Sequence, residues 1–297
     1  MKRMLFVMNP FAGMRKGAKH LSEMISAFNR GGYMVNAYMT KEAGDGIHVV
    51  AEHAKEVDLV VCCGGDGTFN EAVSGVLKSG ADVPLGYIPA GSTNDFANSL
   101  DIPLHILDAA EEILQGQPMP FDLGRFEDRY FSYIASFGAF TKSSYATPQT
   151  AKNTLGHAAY LFSGIQELSQ IHTIHAKVEV DGKMFEDDYL FGAICNCTSM
   201  GGVINLDPSF VDMQDGLFEI LLIRAPQDLT ELGECLLAMQ RRDYQCKMAT
   251  LLSGKKVRVE MDDPCDWSLD GEHAAGRPVV EIENLHHAYN LMKGTKE

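Results

Sequence analysis

Residues 57–73 read VDLVVCCGGDGTFNEAV, and no other stretch limits the fold of this chain as tightly. Asp58 opens an apolar run that continues to Cys63, which suits a strand buried on both faces of a parallel sheet. Gly64, Gly65, Asp66, Gly67 and Thr68 follow as a turn. Phe69, Ala72, Val73, Val76 and Leu77 then recur at helical spacing. The order is strand, glycine-rich turn, helix. A helix that starts straight after such a turn offers free N–H groups and the positive end of its dipole, which favours a bound phosphate. A tight βα turn that binds nothing would have the same pattern.

Composition narrows the setting. The 297 residues are enough for one large domain or two ordinary ones. A net charge of −15 argues against a broad nucleic-acid surface and against whole-surface attraction to anionic lipid. Membrane contact would need a local patch, for which Arg241-Arg242 and Lys255-Lys256 are the basic pairs outside the N-terminus. No apolar run approaches the roughly 20 residues needed to span a bilayer. Met4 to Met8 is too short for a leader and ends at Asn9-Pro10, so it reads as a first strand. The seven cysteines show no paired zinc spacing and read as small buried residues in a reducing cytosol. His172, His175 and the adjacent His286-His287 lack partners at metal-ligand spacing.

From the first strand the chain turns at Asn9-Pro10-Phe11-Ala12-Gly13, and a helix is expected over 17–30. A strand over 33–40, a helix over 47–55, the glycine stretch and a strand over 85–89 complete a βαβαβαβ order. That order predicts a parallel sheet that binds ligands at its C-terminal edge. A second polar loop, Pro89-Ala90-Gly91-Ser92-Thr93-Asn94-Asp95-Phe96-Ala97, leaves the same edge. A helix over 106–115 follows. After Phe121-Asp122-Leu123-Gly124 the pattern becomes strand-like, over 130–137, 176–180, 189–197, 217–224, 256–261 and 278–282, with helices over 154–169 and 229–242. Asp181-Gly182 is a hairpin turn. The expected fold is therefore α/β plus β. Residues 1–124, with about 285–297 returning to them, form the nucleotide domain, and 125–284 form a mostly antiparallel, sandwich-like domain.

Taken together, NPFAG at 9–13, GGDGTFNEAV at 64–73 and PAGSTNDFA at 89–97 resemble the diacylglycerol kinase catalytic family, especially its soluble bacterial lipid kinases. FDLGRF at 121–126, TPQTAKNTLGHAAY at 147–160, DMQDGLFEI at 212–220 and LDGE at 269–272 follow in that family's order. The resemblance spans essentially the whole chain. GGDGT alone is less specific, because NAD kinases and phosphofructokinases carry similar loops.

The resemblance implies transfer of the γ-phosphoryl of ATP, with Mg²⁺, to a lipid hydroxyl in a cleft between the two domains. ATP would lie against Asn9, Pro10, Gly13, Lys16, Gly64, Gly65, Gly67, Thr68, Asn70, Glu71, Gly91, Ser92, Thr93, Asn94 and Asp95. Met14 stands where close relatives have lysine, which leaves Arg15 or Lys16 to supply the charge. Asp66 would repel phosphate unless Mg²⁺ lies between them, though an Asp that caps its own helix fits the position too. Asp270 is implied as the general base. Glu272 would share its face if the segment is extended. Asp122 is implied as a relay residue, and an interdomain hydrogen bond is its plainer reading. Asp212, Asp215 and the Leu217 carbonyl are implied as ligands of a second, structural Mg²⁺.

Diacylglycerol is the implied acceptor, at the inner face of the membrane of a cytoplasmic, peripheral enzyme. A sphingoid base or another lipid alcohol fits the motifs equally. Methionines and the aromatics over 131–140 and 160–162 suit an acyl cleft or ordinary core. The resemblance leaves a homodimer open. An NAD kinase would not account for the NDFA loop, and a nucleotide- or lipid-sensing protein would be expected to lose Asp270.

Overall fold

The computed structural model describes residues 1–139, 172–200, 204–241, 244 and 246–294. Phe140, the motif at 147–160, the helix expected over 154–169, the aromatics at 160–162 and Arg242 lie outside them. The chain forms two compact units. One is Met1–Asp122 with His287–Glu297, and the other is Leu123–His286. Among the described residues, no helix is long and apolar enough to cross a membrane.

In the first unit, strands β1 (Lys2–Met8), β2 (Tyr33–Met39), β3 (Leu59–Gly64) and β4 (Leu85–Pro89) are parallel, in the order β4-β3-β1-β2. Their ends are level. Met8 lies opposite Met39 and Cys63, and Gly64 lies opposite Pro89. The loops that follow all leave from one edge, where parallel α/β sheets bind ligands. Every residue of β3 is buried, as the uninterrupted apolar run requires. Burial pushes the Cys63 thiol up to about 12, which leaves it an inert core group. Among the described residues, six α-helices accompany the sheet: α1 (Lys16–Lys19), α2 (Leu21–Arg30), α3 (Asp45–His53), α4 (Asp66–Ser79), α5 (Asp95–Ser99) and α6 (Ile106–Gln115). Phe69 of α4 stacks on Phe96 of α5 with ring centroids 4.5 Å apart and meets Tyr87 of β4 at 4.9 Å. This aromatic cluster ties the two polar loops of the edge to one core.

Two helix boundaries differ from the sequence expectation. The single helix over 17–30 is broken at His20. The first turn brings Gly17 so close to β3 that a Cβ there would lie 2.8 Å from the Cys63 sulfur. Helix α4 begins at Asp66, so Asp66, Gly67 and Thr68 belong to its first turn and not to the preceding loop. Those three residues carry no apolar signal by which periodicity could find them.

The second unit is antiparallel. Strand β5 (Gln117–Phe126) leads into it and pairs with β6 (Arg129–Phe131). It continues with β7 (Ile134–Gly138), β8 (Ile174–Val180), β9 (Lys183–Cys195), the short β10 (Ser199–Met200) and β11 (Ile204–Asn205), and β12 (Phe218–Arg224). The remaining strands are β13 (Ala249–Gly254), β14 (Lys256–Met261), β15 (Trp267–Leu269), β16 (Glu272–Ala274) and β17 (Val279–Lys293). Helix α7 (Leu229–Gln240) lies between β12 and β13. Strand β9 is the pivot. Its first half pairs with β8, and its second half pairs with β7 and β12. Phe131, Phe137, Val178, Phe218, Ile220, Val259, Trp267 and Val280 fill one core drawn from both halves, which gives the sandwich-like packing.

The strand expected over 130–137 is two strands, interrupted at Ser132-Tyr133. The strands expected over 278–282 and the segment 285–292 are one, β17, whose residues from His287 onward belong to the first unit. Strand β13 was not expected, because ATLLSG lacks a period-2 alternation and only Gly254 of it is buried.

Candidate functional site

The C-terminal edge of the first sheet is built from backbone. Gly13 has φ +48°, and a Cβ there would lie 2.1 Å from the Ala90 carbonyl oxygen. A Cβ on Gly91 would lie 2.6 Å from Gly65 Cα, and one on Gly64 would meet the Thr68 side chain at 2.3 Å. Gly91 thus meets Gly65 glycine against glycine, Gly13 meets the Ala90 backbone, and no residue with a side chain fits at either contact. Asn94, buried and left-handed at φ +51°, locks the third loop. Its Oδ1 accepts the Gly91 N–H at 2.9 Å and its Nδ2 donates to the Gly91 carbonyl at 3.3 Å. Asn9 Oδ1 accepts the Phe11 N–H at 3.0 Å, which holds the turn after Pro10. The first turn of α4, with Gly67 and Thr68, opens onto this edge, and the leading N–H groups of a helix have no partners within it.

Asp66 caps a helix, but not its own. Its carboxylate accepts the N–H groups of Asp95 at 3.0 Å and Phe96 at 3.3 Å, which begin α5, and the Tyr87 hydroxyl at 3.3 Å. Burial, with the Asp66 charge adding to it, pushes the Tyr87 hydroxyl well above its ordinary range and keeps it a neutral donor. Tyr87 was not singled out from the sequence, where it reads as an ordinary β4 core residue. Thr40 was missed as well. It follows β2 at the same edge, buried, and its hydroxyl donates to the Met8 carbonyl at 3.4 Å. Its position one residue past a parallel strand was the available signal.

The other predicted residues have these places. Glu71 accepts the N–H groups of Gly44 at 2.7 Å and Gly46 at 3.0 Å and so holds the start of α3. Asn70 accepts the Ser74 hydroxyl one helical turn on, at 3.3 Å. Ser92 is exposed, Thr93 is half-buried, and Asp95 is buried. Lys16 is exposed, and the Arg15 guanidinium lies 5.5 Å from the Phe11 ring centroid. Asp122 is fully buried in the first unit and accepts the His287 N–H at 2.8 Å.

In the second unit, Asp270 and Gly271 form the two-residue turn between β15 and β16, with φ +50° and +82°. The segment is thus not extended, and Glu272 does not share a face with Asp270 by that route. Glu272 is exposed and sits 3.5 Å from the Arg129 guanidinium, while Asp270 is buried. The Asp270 carboxylate accepts three backbone N–H groups, from Ser132 at 2.5 Å and from Tyr133 and Ile134 at 3.0 Å each. These donors come from the break between β6 and β7, which explains that break. Three N–H donors suit the ionised form and fix its orientation.

The turn before β12 holds the other predicted acids. Asp212 Oδ1 accepts the Gln214 N–H at 3.0 Å, and Asp215 Oδ1 accepts the Leu217 N–H at 2.8 Å. The Leu217 carbonyl accepts Asn284 Nδ2 at 2.9 Å. Two residues further on, Glu219 is buried, and its Oε2 has no hydrogen-bond partner. Burial, then the Asp215 charge and to a lesser degree that of Asp212, push this carboxyl up to about 8.

Comparison with known proteins gives a consistent result. Residues 3–126 match the diacylglycerol kinase catalytic domain family, and residues 136–290 match the YegS C-terminal NAD kinase beta sandwich-like domain. The chain is 30% identical to a diacylglycerol kinase of Bacillus subtilis, with 100% of this chain and 98% of that protein covered. It is 31% identical to a diacylglycerol kinase of Staphylococcus aureus, with 94% and 88% covered. A solved diacylglycerol kinase structure from Bacillus anthracis has the same fold, with a TM-score of 0.79 at 23% identity over 99% of this chain and 97% of that one.

Proposed function

The chain belongs to the diacylglycerol kinase family and is a lipid kinase, and from that premise we propose that it phosphorylates diacylglycerol with ATP and Mg²⁺ to give phosphatidic acid. The observation that carries the mechanism is the triple N–H grip on Asp270. A general base must be held in place beside the acceptor hydroxyl, and the grip supports that role by fixing the orientation of this buried carboxylate.

The glycine contacts of Gly13, Gly64, Gly65 and Gly91 support phosphate binding, because bare backbone lets N–H groups approach phosphate oxygens. Asn9, Pro10, Thr40, Thr68, Ser92, Thr93 and Asn94 shape that cradle, and Arg15 or Lys16 adds positive charge. Asn70 and Glu71 act from behind it, Glu71 by anchoring α3. In the transfer, the acceptor hydroxyl oxygen bonds to the γ-phosphorus as the bond to the β,γ-bridging oxygen breaks. ADP leaves, and the hydroxyl proton passes to an Asp270 oxygen. Asp122, through His287, acts as a positioning residue.

Mg²⁺ fits two donor sets. Asp66 and Asp95 are buried carboxylates beside the phosphate cradle, the hard oxygen chemistry that Mg²⁺ takes. The turn of Asp212, Asp215 and Leu217 has buried acceptor oxygens without partners next to it, Glu219 Oε2 and Asn284 Oδ1. When bound, the metal at the nucleotide would neutralise phosphate charge. The enzyme would work as a peripheral protein on the cytoplasmic face of the membrane.

The test is a labelled-ATP assay with diacylglycerol, a sphingoid base and NAD as acceptors, the lipids in mixed micelles. Labelled phosphatidic acid with wild type, and its loss with Asp270→Asn, is expected. Labelling of NAD alone, or equal turnover by Asp270→Asn, would overturn the proposal.

A further inference from the structure

Strand β4 carries a hydroxyl that its packing does not need. Tyr87 is 1% exposed, and its ring lies among aromatic neighbours, with centroids 4.9 Å from Phe69 and 6.3 Å from Phe96. A phenylalanine would fill the same space. A hydroxyl in such a core is costly unless it has a hydrogen-bond partner. Its partner is Asp66, whose Oδ1 accepts the Tyr87 hydroxyl at 3.3 Å. Both residues belong to the first unit.

The carboxylate is held from two sides. Asp66 Oδ2 accepts the Asp95 N–H at 3.0 Å, and Oδ1 accepts the Phe96 N–H at 3.3 Å, both from the start of α5. With donors on both oxygens, turning the carboxylate breaks at least one bond. The two N–H donors come from a short helix at the end of a loop. Tyr87 stands instead on a strand paired in parallel with β3, opposite Cys62, and its ring is fixed by the aromatic cluster. It therefore ties Asp66 to the sheet itself, at the edge where the glycine contacts form the cradle. Burial first, and then the Asp66 charge, hold the Tyr87 hydroxyl in its protonated form, so it faces the carboxylate as a donor. At 3.3 Å the bond is long for a hydroxyl donor, so its worth lies in orientation more than in energy.

We propose that Tyr87 is a positioning residue, which orients Asp66 toward the cation on the nucleotide phosphates. This rests on the reading that Asp66 meets those phosphates through Mg²⁺. Tyr87 touches neither nucleotide nor acceptor in this role and acts only through Asp66. Groups that hydrogen-bond a metal-linked carboxylate are typically worth about 10–100-fold in metal affinity or activity.

The test uses the full chain and the non-hydrolysable β,γ-imido analogue of ATP as the probe, with binding measured by calorimetry in Mg²⁺ and again in EDTA. The ratio of the two affinities is the gain that the cation supplies. Wild type, Tyr87→Phe and Asp66→Asn are compared. Wild type should bind the analogue more tightly in Mg²⁺, and Asp66→Asn should lose that gain. Tyr87→Phe should lose about tenfold or more of it, while its affinity in EDTA stays that of wild type. Its turnover should fall at low Mg²⁺ and recover as Mg²⁺ is raised. An unchanged gain in Tyr87→Phe, with the gain lost in Asp66→Asn, would overturn the role of Tyr87 and leave Asp66 as the carboxylate of the cation. Equal losses by Tyr87→Phe in Mg²⁺ and in EDTA would make the hydroxyl an ordinary support of the fold and overturn the proposal as well. No gain in wild type, or an unchanged gain in Asp66→Asn, would remove the reading of Asp66 and Tyr87 with it. Should Tyr87→Phe not fold, wild-type crystals with Mn²⁺ and the analogue decide. Asp66 on the ion, or on a water that the ion holds, with the Tyr87 hydroxyl still bonded to Asp66 is expected, and a hydroxyl turned away from Asp66 overturns the proposal.

Discussion

Among the described residues of the second unit, the same hairpin turn occurs twice, and the two copies differ in their burial and in the N–H groups they hold. Asp181-Gly182 joins β8 to β9, and Asp270-Gly271 joins β15 to β16. Backbone angles agree closely, with φ +47° and +84° in the first and +50° and +82° in the second. Each Asp N–H donates to a carbonyl of a neighbouring segment, Lys256 for one and Ile134 for the other. Each carboxylate then accepts N–H groups from that segment, of Lys255 and Lys256 for Asp181 and of Ser132, Tyr133 and Ile134 for Asp270. Asp181 is exposed, however, and Asp270 is buried. Local turn chemistry made both structures, and burial with a third N–H donor turned one of them into a candidate base.

The largest way to break this comparison is Asp270→Asn. Turnover should fall by about 10²–10⁴-fold, the usual worth of a general base, while thermal unfolding shows a folded protein. Retained turnover would make Asp270 a second Asp181. A buried carboxylate without the N–H grip sharpens the contrast, and Glu219 is that case. Its carboxyl is raised from 4.5 to about 8 in the folded chain, so between those pH values the folded form binds more protons than the unfolded one. In EDTA, stability should therefore fall as pH rises from about 5 to 8, and Glu219→Gln should remove a loss on the order of a few kcal/mol, measured by denaturant melts. A flat wild-type profile would show that Glu219 is not strained by its burial.

Smaller effects test the exposed counterparts. Asp181→Asn should cost about 1 kcal/mol of stability through weakened hydrogen bonds to Lys255 and Lys256, with phosphoryl transfer unchanged. A loss of activity comparable to that of Asp270→Asn would deny burial its role. Smallest of all, Glu272→Gln should shift stability by less than about 0.5 kcal/mol, since its contact with Arg129 is a surface pair. Its activity should stay well above that of Asp270→Asn, because only Asp270 of the two has the backbone grip.

The legible parts of the molecule were those encoded locally. Strand β3, the glycine loop and the Asp181-Gly182 hairpin each announce themselves within a few residues. What sequence could not give was the second partner of each polar group. Asp66 was weighed as a metal-linked residue or the cap of its own helix. It also caps α5, whose first residues come 29 positions later. Glu71 looked like part of the nucleotide loop and reaches back to α3. Glu219 sits in a strand where alternation predicts only a face, and its missing partner is visible solely in three dimensions. Asp270-Gly271 is the same pair that reads as a turn at 181–182, and its burial is what the residues alone do not reveal.

Strand β17 has a consequence for how the molecule is made. Its residues from His287 onward complete the first unit, where Leu291 pairs with Leu85. A ribosome delivers those residues only after the entire second unit has emerged. Until then β4 waits as an open sheet edge, the kind of surface that captures stray strands. The first unit, although first in the sequence, is thus the last to be finished, and its folding has a high contact order despite its local βα units.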